Sequence, residues 1–391
     1  MPQHPKATAD EPAAEKNPNP DSARPAVGPG LGLSSPTDSA AVTRWLESQP
    51  DIDAEFYELD SALGDDAMSS TASLSASILE YRTIHGRRFH SQRGNTDYWY
   101  CLSPALPRVF YIALTTREIS KLTLSCAWTS HHTLTLLMGD KLYLAPIDNP
   151  RKALDVGDFA DAFQECEVIG TDISPTQPFW VPVNLRFEID DCTAVPWTYP
   201  PCSFDYIHLR YLFGAIRDWD SLYSEVFRAL RPGGWAESVE PSTYVRSDDG
   251  SILANDGSAL SEWAPLLFEA ARKYGARSYE GPRPMNMVEE GIVVKSFERA
   301  GFTDIVMKSY KCPLTPFSQD PHLKEVGLYA RSAMEEGMEG FVLYLFTNGL
   351  GWSREQVTLY LHRVRQELRD TRKSPYIEVQ VVYGRKPETA S

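Results

Sequence analysis

Short apolar strands alternate with helical segments from residue 152 onward, and this alternation limits the possible folds more than any other feature of the sequence. Candidate strands lie at Lys152–Val156, Glu167–Thr171, Leu185–Ile189, Asp205–Leu209 and Trp235–Val239. Helices are predicted at Trp219–Leu230, Ser258–Tyr274 and Val288–Ala300. Such alternation is typical of an α/β fold with a mainly parallel sheet.

The C-terminal part of the chain predicts an antiparallel edge for this sheet. Two further candidate strands lie at Phe302–Tyr310 and Tyr376–Tyr383, and the second follows a long predicted helix, Ser353–Arg372. Ser353 stands three residues before Gln356, which is the spacing of a capping box at a helix start. We therefore predict a sheet whose last strand runs against the others.

The residues before 147 predict a different organisation. Residues 1–40 hold 8 of the 29 prolines and no aromatic side chain, so they cannot bury enough apolar surface to fold and are predicted to be a disordered tail. Residues 41–146 are predicted to be a helical N-terminal extension, with helices at 41–52, 72–92 and 131–145. Inside it, residues 100–130 lack helical or alternating periodicity and form an atypical insert. Residues 147–391 are the predicted α/β domain.

Composition excludes several classes of protein. A net charge of -15 disfavours direct nucleic-acid binding, because an acidic surface repels phosphates. No apolar run reaches the length of a membrane-spanning helix, and the first residues lack a leader pattern, so a cytoplasmic or nuclear location is expected. The six cysteines contain no C-x-x-C pair, so reduced thiols and no metal site are expected.

Carboxylates follow the predicted parallel strands at the edge where α/β sheets bind ligands. Asp155 and Gly157 end the first strand, Asp172 ends the second, and Asp190 and Asp191 end the third. A carboxylate after the second strand can accept both hydroxyl protons of a ribose, and one after the third can accept from an adenine amino group. Taken singly, an aspartate after a strand is more often a turn or helix cap.

The order and spacing of these residues resemble the LaeA-like family of fungal S-adenosylmethionine-dependent methyltransferases. The matching segments are VIGTD and FEIDD around the second and third strands, FDYIHLR in the fourth, and LRPGG before the fifth. YRTIHGRRFH upstream and LGWSREQV downstream also resemble the family, so the likeness runs from about Tyr57 to Pro387.

The resemblance implies a class I methyltransferase fold, which is Rossmann-like, with S-adenosyl-L-methionine as the cofactor. Asp155, Gly157, Asp172, Asp190 and Asp191 would bind this cofactor, and a small molecule of fungal secondary metabolism would accept the methyl group. His208 and Arg210 would lie near the substrate mouth. The resemblance also leaves room for protein partners in a biosynthetic or regulatory complex.

The chain departs from the family directly after the first strand. The family has a D-x-G-x-G-x-G loop and a helix there, whereas only eight residues separate Gly157 from Cys166 here. A parallel crossover with its helix normally needs at least about 10 residues. Either the crossover is an abbreviated turn of helix or the first strand is displaced, and in both cases we expect weaker cofactor binding. An error in the gene model at 100–130 and at 157 is a further hypothesis, which sequencing the transcript tests.

Three questions stay open on the sequence alone. His208 is the best candidate for a catalytic base because histidine titrates near neutral pH, but a structural histidine hydrogen-bonded at the strand end fits equally well. Arg210 could pair with an acid such as Asp218 instead of touching substrate. The whole chain could also be a catalytically impaired methyltransferase-like accessory or regulatory protein.

Overall fold

The computed structural model describes residues 126–155, 159–173, 182–275 and 284–388, together with three short backbone segments at 82–84, 87–89 and 101–102. All of them belong to one compact unit, Leu63–Ser391. The predicted tail at 1–40, the predicted helix at 41–52 and Gly157 lie outside these residues.

The three short segments form a small antiparallel sheet. Its strands are β1 (Arg82–Ile84), β2 (Arg87–Phe89) and β3 (Cys101–Leu102), and Ile84 pairs with Arg87 across the first hairpin. The prediction of a helix over 72–92 is therefore wrong for residues 82–84 and 87–89. β-branched Thr83 and Ile84 suit a strand better than a helix.

A seven-stranded sheet forms the centre of the domain. Its strands are β4 (Lys152–Asp155), β5 (Glu167–Asp172), β6 (Leu185–Ile189), β7 (Phe204–Arg210), β8 (Leu230–Pro241), β9 (Thr303–Pro313) and β10 (Tyr376–Arg385). Their order across the sheet is β6-β5-β4-β7-β8-β10-β9. The first five are parallel, and β10 runs antiparallel to both β8 and β9. The predicted α/β fold with an antiparallel edge is confirmed.

Helices cover both faces of this sheet. They are α1 (Cys126–Leu137), α2 (Phe159–Ala162), α3 (Trp219–Ala229), α4 (Ala259–Gly275), α5 (Met287–Glu290), α6 (Ile292–Ala300), α7 (Pro321–Leu345) and α8 (Arg354–Leu368), with a π-helical segment at Phe346–Leu350. α3 and α6 bury their apolar side chains against Ile207 and Leu209 of β7. α1, α4, α7 and α8 share a second core on the other face, and α2 packs near Tyr206.

Several helix predictions needed correction. The helix predicted at 131–145 begins earlier, at Cys126, and ends at Leu137, so the last residues of the insert predicted as aperiodic are helical. The helix predicted at Val288–Ala300 is split at Gly291, which has a left-handed backbone with φ 59°. The 25-residue α7 was not predicted. The capping box at Ser353 is confirmed: its hydroxyl accepts from Gln356 N, and the Gln356 side chain accepts from Ser353 N.

The described part of the crossover between the first two parallel strands contains a single helical turn. β4 lies in register between β5 and β7, with Leu154 opposite Ile169 on one side and Ile207 on the other. The helix of this crossover, α2, has only four residues. Of the two alternatives for the short connection, the abbreviated turn is therefore correct and β4 is not displaced.

The LRPGG segment, which precedes the predicted fifth strand, forms a bulge at the start of β8. Between the pairs Phe204–Leu230 and Tyr206–Trp235 the register shifts, and Gly233 takes up φ 82° there. Gly234 lies so close to β7 that a Cβ atom on it would be 2.9 Å from the Asp205 carbonyl oxygen. The bulge thus brings β8 into contact with β7 at the amino end of the sheet.

Candidate functional site

The carboxyl ends of β5 and β6 bring three predicted acidic residues together. Asp172 pairs with Ile189 in the sheet, and the backbone N–H of Asp190 donates to the Asp172 carbonyl oxygen at 3.0 Å. Asp191 follows directly, and all three residues are half-buried. We call Asp172, Asp190 and Asp191 the acidic cluster.

Asp191 has one carboxylate oxygen engaged and one available. Its Oδ1 accepts from the Thr193 backbone N–H at 2.9 Å and from the Thr193 hydroxyl at 2.7 Å. Its Oδ2 is buried and has no hydrogen-bond partner among the residues that the structure describes. A buried carboxylate oxygen without a donor is costly, so this atom fits an N–H or O–H group of a ligand.

A pocket of about 180 Å³ opens beside the acidic cluster. Cys192 and Thr193 line it from the segment after β6, and Ala215, Ile216 and Ser221 line it from the segment between β7 and α3 and from the start of α3. Most of its walls are apolar, but Arg217 and Asp218 also line it, and hydroxyl groups and the acidic cluster lie nearby. Such a pocket suits a flat heteroaromatic ring that carries a hydrogen-bond donor at its edge.

The end of β7 carries the two other predicted site residues. His208 is 7% exposed, and its ring stacks on that of Tyr206 at a centroid distance of 6.1 Å. Arg210 is half-buried, and its Nη1 lies 2.7 Å from Nδ1 of His131 on α1. The alternative that Arg210 pairs with Asp218 does not hold: Asp218 caps α3, where its carboxylate accepts from Ser221 N, because a helix start offers free N–H groups.

Two buried glutamates on β8 support the site and were not predicted. The Glu237 carboxylate accepts from the backbone N–H groups of Leu144 and Ala145, at 2.8 and 2.6 Å. The Glu240 carboxylate accepts from the backbone N–H groups of Leu212 and Phe213, both at 3.0 Å, and so holds the segment that follows β7. The only signal in the sequence is two acids within an otherwise strand-like run, AESVE.

The first strand contributes less than predicted to the described site. The backbone of Asp155 pairs with Gly170 of β5, so Asp155 lies at the same edge of the sheet as Asp172. Nothing further is described for the Asp155 side chain, and Gly157 is outside the described residues.

No group of three or more potential metal ligands occurs in the described part of the chain. No helix in that part has the length and hydropathy needed to cross a bilayer.

The site therefore has two chemically different sides. The β5–β6 side presents carboxylate oxygens, which can only accept hydrogen bonds when ionised and therefore suit hydroxyl or amino groups. The β7 side presents a guanidinium, which can only donate and suits an anion. A ligand that spans the carboxyl edge would need donors at one end and a negative group at the other.

Comparisons with known proteins agree with this arrangement. A family model described as a methyltransferase domain matches residues 131–305, which include the acidic cluster and the end of β7. The sheet order and this match define the chain as a class I methyltransferase.

Comparison with individual relatives identifies the family within this class. The chain is 33% identical over 332 residues to the methyltransferase pytC of Aspergillus terreus, an alignment that spans 82% of this chain and 93% of that protein. It is 30% identical to the secondary metabolism regulator laeA of Monascus pilosus, over 66% of this chain and 70% of that protein. It is 28% identical to the protein-methionine methyltransferase laeA of Emericella nidulans, over 83% and 81%. The chain belongs to the LaeA-like family of fungal methyltransferases.

Proposed function

We propose that the protein transfers a methyl group from S-adenosyl-L-methionine to a small molecule of fungal secondary metabolism. One observation carries the proposal: the acidic cluster lies beside an apolar pocket, and the Asp191 Oδ2 atom there is buried without a donor. When bound, the cofactor supplies a methyl group on a positively charged sulfur. The name of the pytC methyltransferase and the high coverage of its alignment with this chain support this class of reaction.

The adenosine half of the cofactor fits the residues present. Asp172 at the end of β5 would accept from the ribose hydroxyls, and Asp190 and Asp191 would meet the adenine amino group. The pocket beside Cys192 would take the ring. Asp155 and Gly157 remain in the proposal as residues near the amino-acid half, where the crossover is only one turn long.

Methyl transfer needs mainly positioning and exclusion of water, and a base only where the acceptor must lose a proton. The low exposure of His208 and its stacking on Tyr206 favour a structural role for this histidine. It would act as a base only for an acceptor that reaches below the edge of the sheet.

A cytoplasmic or nuclear location also belongs to the proposal, and a fluorescent fusion in a fungal host would test it.

Calorimetric titration with S-adenosylmethionine tests the proposal. We expect micromolar binding by the native protein and a loss of at least about 100-fold in Asp172→Ala, because two hydrogen bonds to a carboxylate contribute roughly 1.5–3 kcal/mol each. Asp191→Asn should weaken binding by about 10-fold, since the amide offers only one acceptor oxygen. Asp370→Asn is the control: Asp370 is an acid outside the site, paired with Arg372. Absence of binding at millimolar cofactor would refute the proposal.

A second candidate function is a regulatory or accessory role without methyl transfer. The four-residue α2 favours it, because the cofactor's amino-acid half has lost much of the cradle that this family usually provides. Some relatives are named as regulators, and one is named for a protein methionine as its acceptor. A protein that binds no cofactor and yet restores metabolite production in a deletion strain would support this role.

A further inference from the structure

Arg210 is the last residue of β7, so it lies near the middle of the carboxyl edge of the sheet. β7 pairs with β4 through Leu154 and Ile207, and Arg210 is three residues further along β7, about 10 Å beyond that pair. Side chains alternate along a strand, so Arg210 shares the face of Tyr206 and His208 and not the α3 face of Ile207. It therefore lies at the carboxyl edge of the sheet, on the strand that neighbours β4.

The contact of Arg210 with His131 defines which ring nitrogen of this histidine accepts a hydrogen bond and which one donates. A guanidinium can only donate, so Nδ1 of His131 must be the acceptor at 2.7 Å. The proton of the neutral ring then sits on Nε2, which donates to the Thr135 hydroxyl at 3.2 Å. That hydroxyl donates in turn to the His131 carbonyl oxygen at 3.1 Å. The chain of hydrogen bonds fixes the Arg210 side chain without neutralising its charge.

Arg210 forms no ion pair with any residue that the structure describes, although it is half-buried. Other arginines near the sheet, such as Arg228 and Arg231, each have a carboxylate partner. Partial burial of a cation beside a neutral imidazole costs free energy that an anion would offset. The arrangement is that of a guanidinium held ready for a negatively charged ligand group.

The short crossover explains what that group would be. In a longer βα unit, backbone N–H groups at a helix start can bind an anion. α2 has four residues, about one turn, and is too short to offer such a site. The amino-acid half of the cofactor ends in a carboxylate and would lie over this segment, so its charge needs a side-chain partner.

We infer that Arg210, oriented by His131, binds the carboxylate of the cofactor's amino-acid half in place of the missing helix start. This inference rests on the proposed function. A guanidinium can hold a carboxylate with two parallel hydrogen bonds, which gives orientation as well as affinity. The three acids of the cluster hold the adenosine half on the other side of the sheet edge.

Two ligands that differ only in the amino-acid half separate this role from general cofactor binding. S-adenosylhomocysteine carries the carboxylate, whereas 5′-methylthioadenosine has the adenosine and the sulfur without it. Calorimetry on the full chain should show that Arg210→Met weakens S-adenosylhomocysteine by at least about 10-fold and changes methylthioadenosine less than about twofold. Arg210→Lys should fall between, since it keeps the charge and loses the paired geometry.

The matched control is Arg363→Met, the same substitution at a half-exposed arginine on α8 that pairs with Glu262. It should leave both affinities unchanged. If Arg210→Met binds S-adenosylhomocysteine as tightly as the native protein, or weakens both ligands equally, the inference is overturned while the proposed function stands. If the native protein binds neither ligand, the proposed function fails and the inference fails with it.

Discussion

The Glu240 side chain allows a direct test of the site, because it is buried and its carboxyl group accepts hydrogen bonds from the backbone that follows β7. The residue is 2% exposed, and burial raises its pKa from 4.5 to about 8, although the N–H groups of Leu212 and Phe213 oppose the shift. The perturbation we consider is Glu240→Gln. Glutamine keeps the size of the side chain and removes its titration.

The sign of the pH dependence follows from the raised pKa. Between pH 4.5 and about 8 the folded protein holds the Glu240 proton and the unfolded chain does not. Stability from this group is therefore complete below pH 4.5 and is lost as pH rises to about 8. Each pH unit in that window removes about 1.4 kcal/mol from the free energy of unfolding, so the step from pH 5.5 to 7.5 should remove about 3 kcal/mol.

Urea unfolding at pH 5.5, 6.5 and 7.5 measures this loss. We expect Glu240→Gln to have a flatter dependence than the native protein by about 3 kcal/mol over the range. Glu225→Gln is the control: the hydrogen bond from Arg228 lowers the pKa of Glu225 below 4.5, so that carboxylate stays ionised in both states throughout the range. If Glu240→Gln and the native protein give parallel lines, Glu240 is not the buried titrating group that we describe.

Three further changes test the structure elsewhere. Gly234→Ala should lower the free energy of unfolding by about 1–3 kcal/mol in urea, because its Cβ would meet the Asp205 carbonyl oxygen at 2.9 Å. Ser353→Ala should cost about 1 kcal/mol in the same assay, since Gln356 N loses its acceptor, and Ser353→Asp should restore most of it. Among the four cysteines whose side chains the structure describes, iodoacetamide at pH 8 should modify exposed Cys202 first, as peptide mass spectrometry would show. The slower thiols, whose pKa burial raises to between about 11 and 12, are Cys166, Cys192 and Cys312. Equal loss for Ser353→Asp, or earlier labelling of a slower thiol, would contradict these expectations.

The strands could be predicted from the sequence because each is a short apolar run between turn residues, and their bounds differ from the structure by a few residues. The antiparallel edge followed from the two runs at the C-terminal end. Periodicity predicts a helix over 72–92 because the apolar residues from Leu74 to Ile84 fit one helical face. The pairing of Ile84 with Arg87 makes residues 82–84 and 87–89 a strand pair, and periodicity over so few residues does not predict such pairing.

The acidic cluster was predictable because its members end consecutive parallel strands, which topology brings to one edge. Arg210 with His131 and Leu144 with Glu237 could not be found this way. These pairs are 79 and 93 residues apart, and they join different elements across the core. Local sequence patterns do not predict such contacts, because they depend on where α1 and the loop after it pack against the sheet.

The two sides of the edge therefore place unequal demands on this chain. Acids at strand ends keep their positions for as long as the sheet keeps its order, so the adenosine side survives a shortened crossover. The amino-acid side depends on the crossover itself, because a helix of one turn has only a small dipole and attracts an anion weakly at its start. A side chain on the neighbouring strand is the nearest replacement that leaves the sheet unchanged, and Arg210 is the half-buried cation that β7 provides there. Selectivity for the cofactor's carboxylate would then come from the β7 side of the edge, and it would depend on a histidine from α1 that precedes the sheet in the sequence.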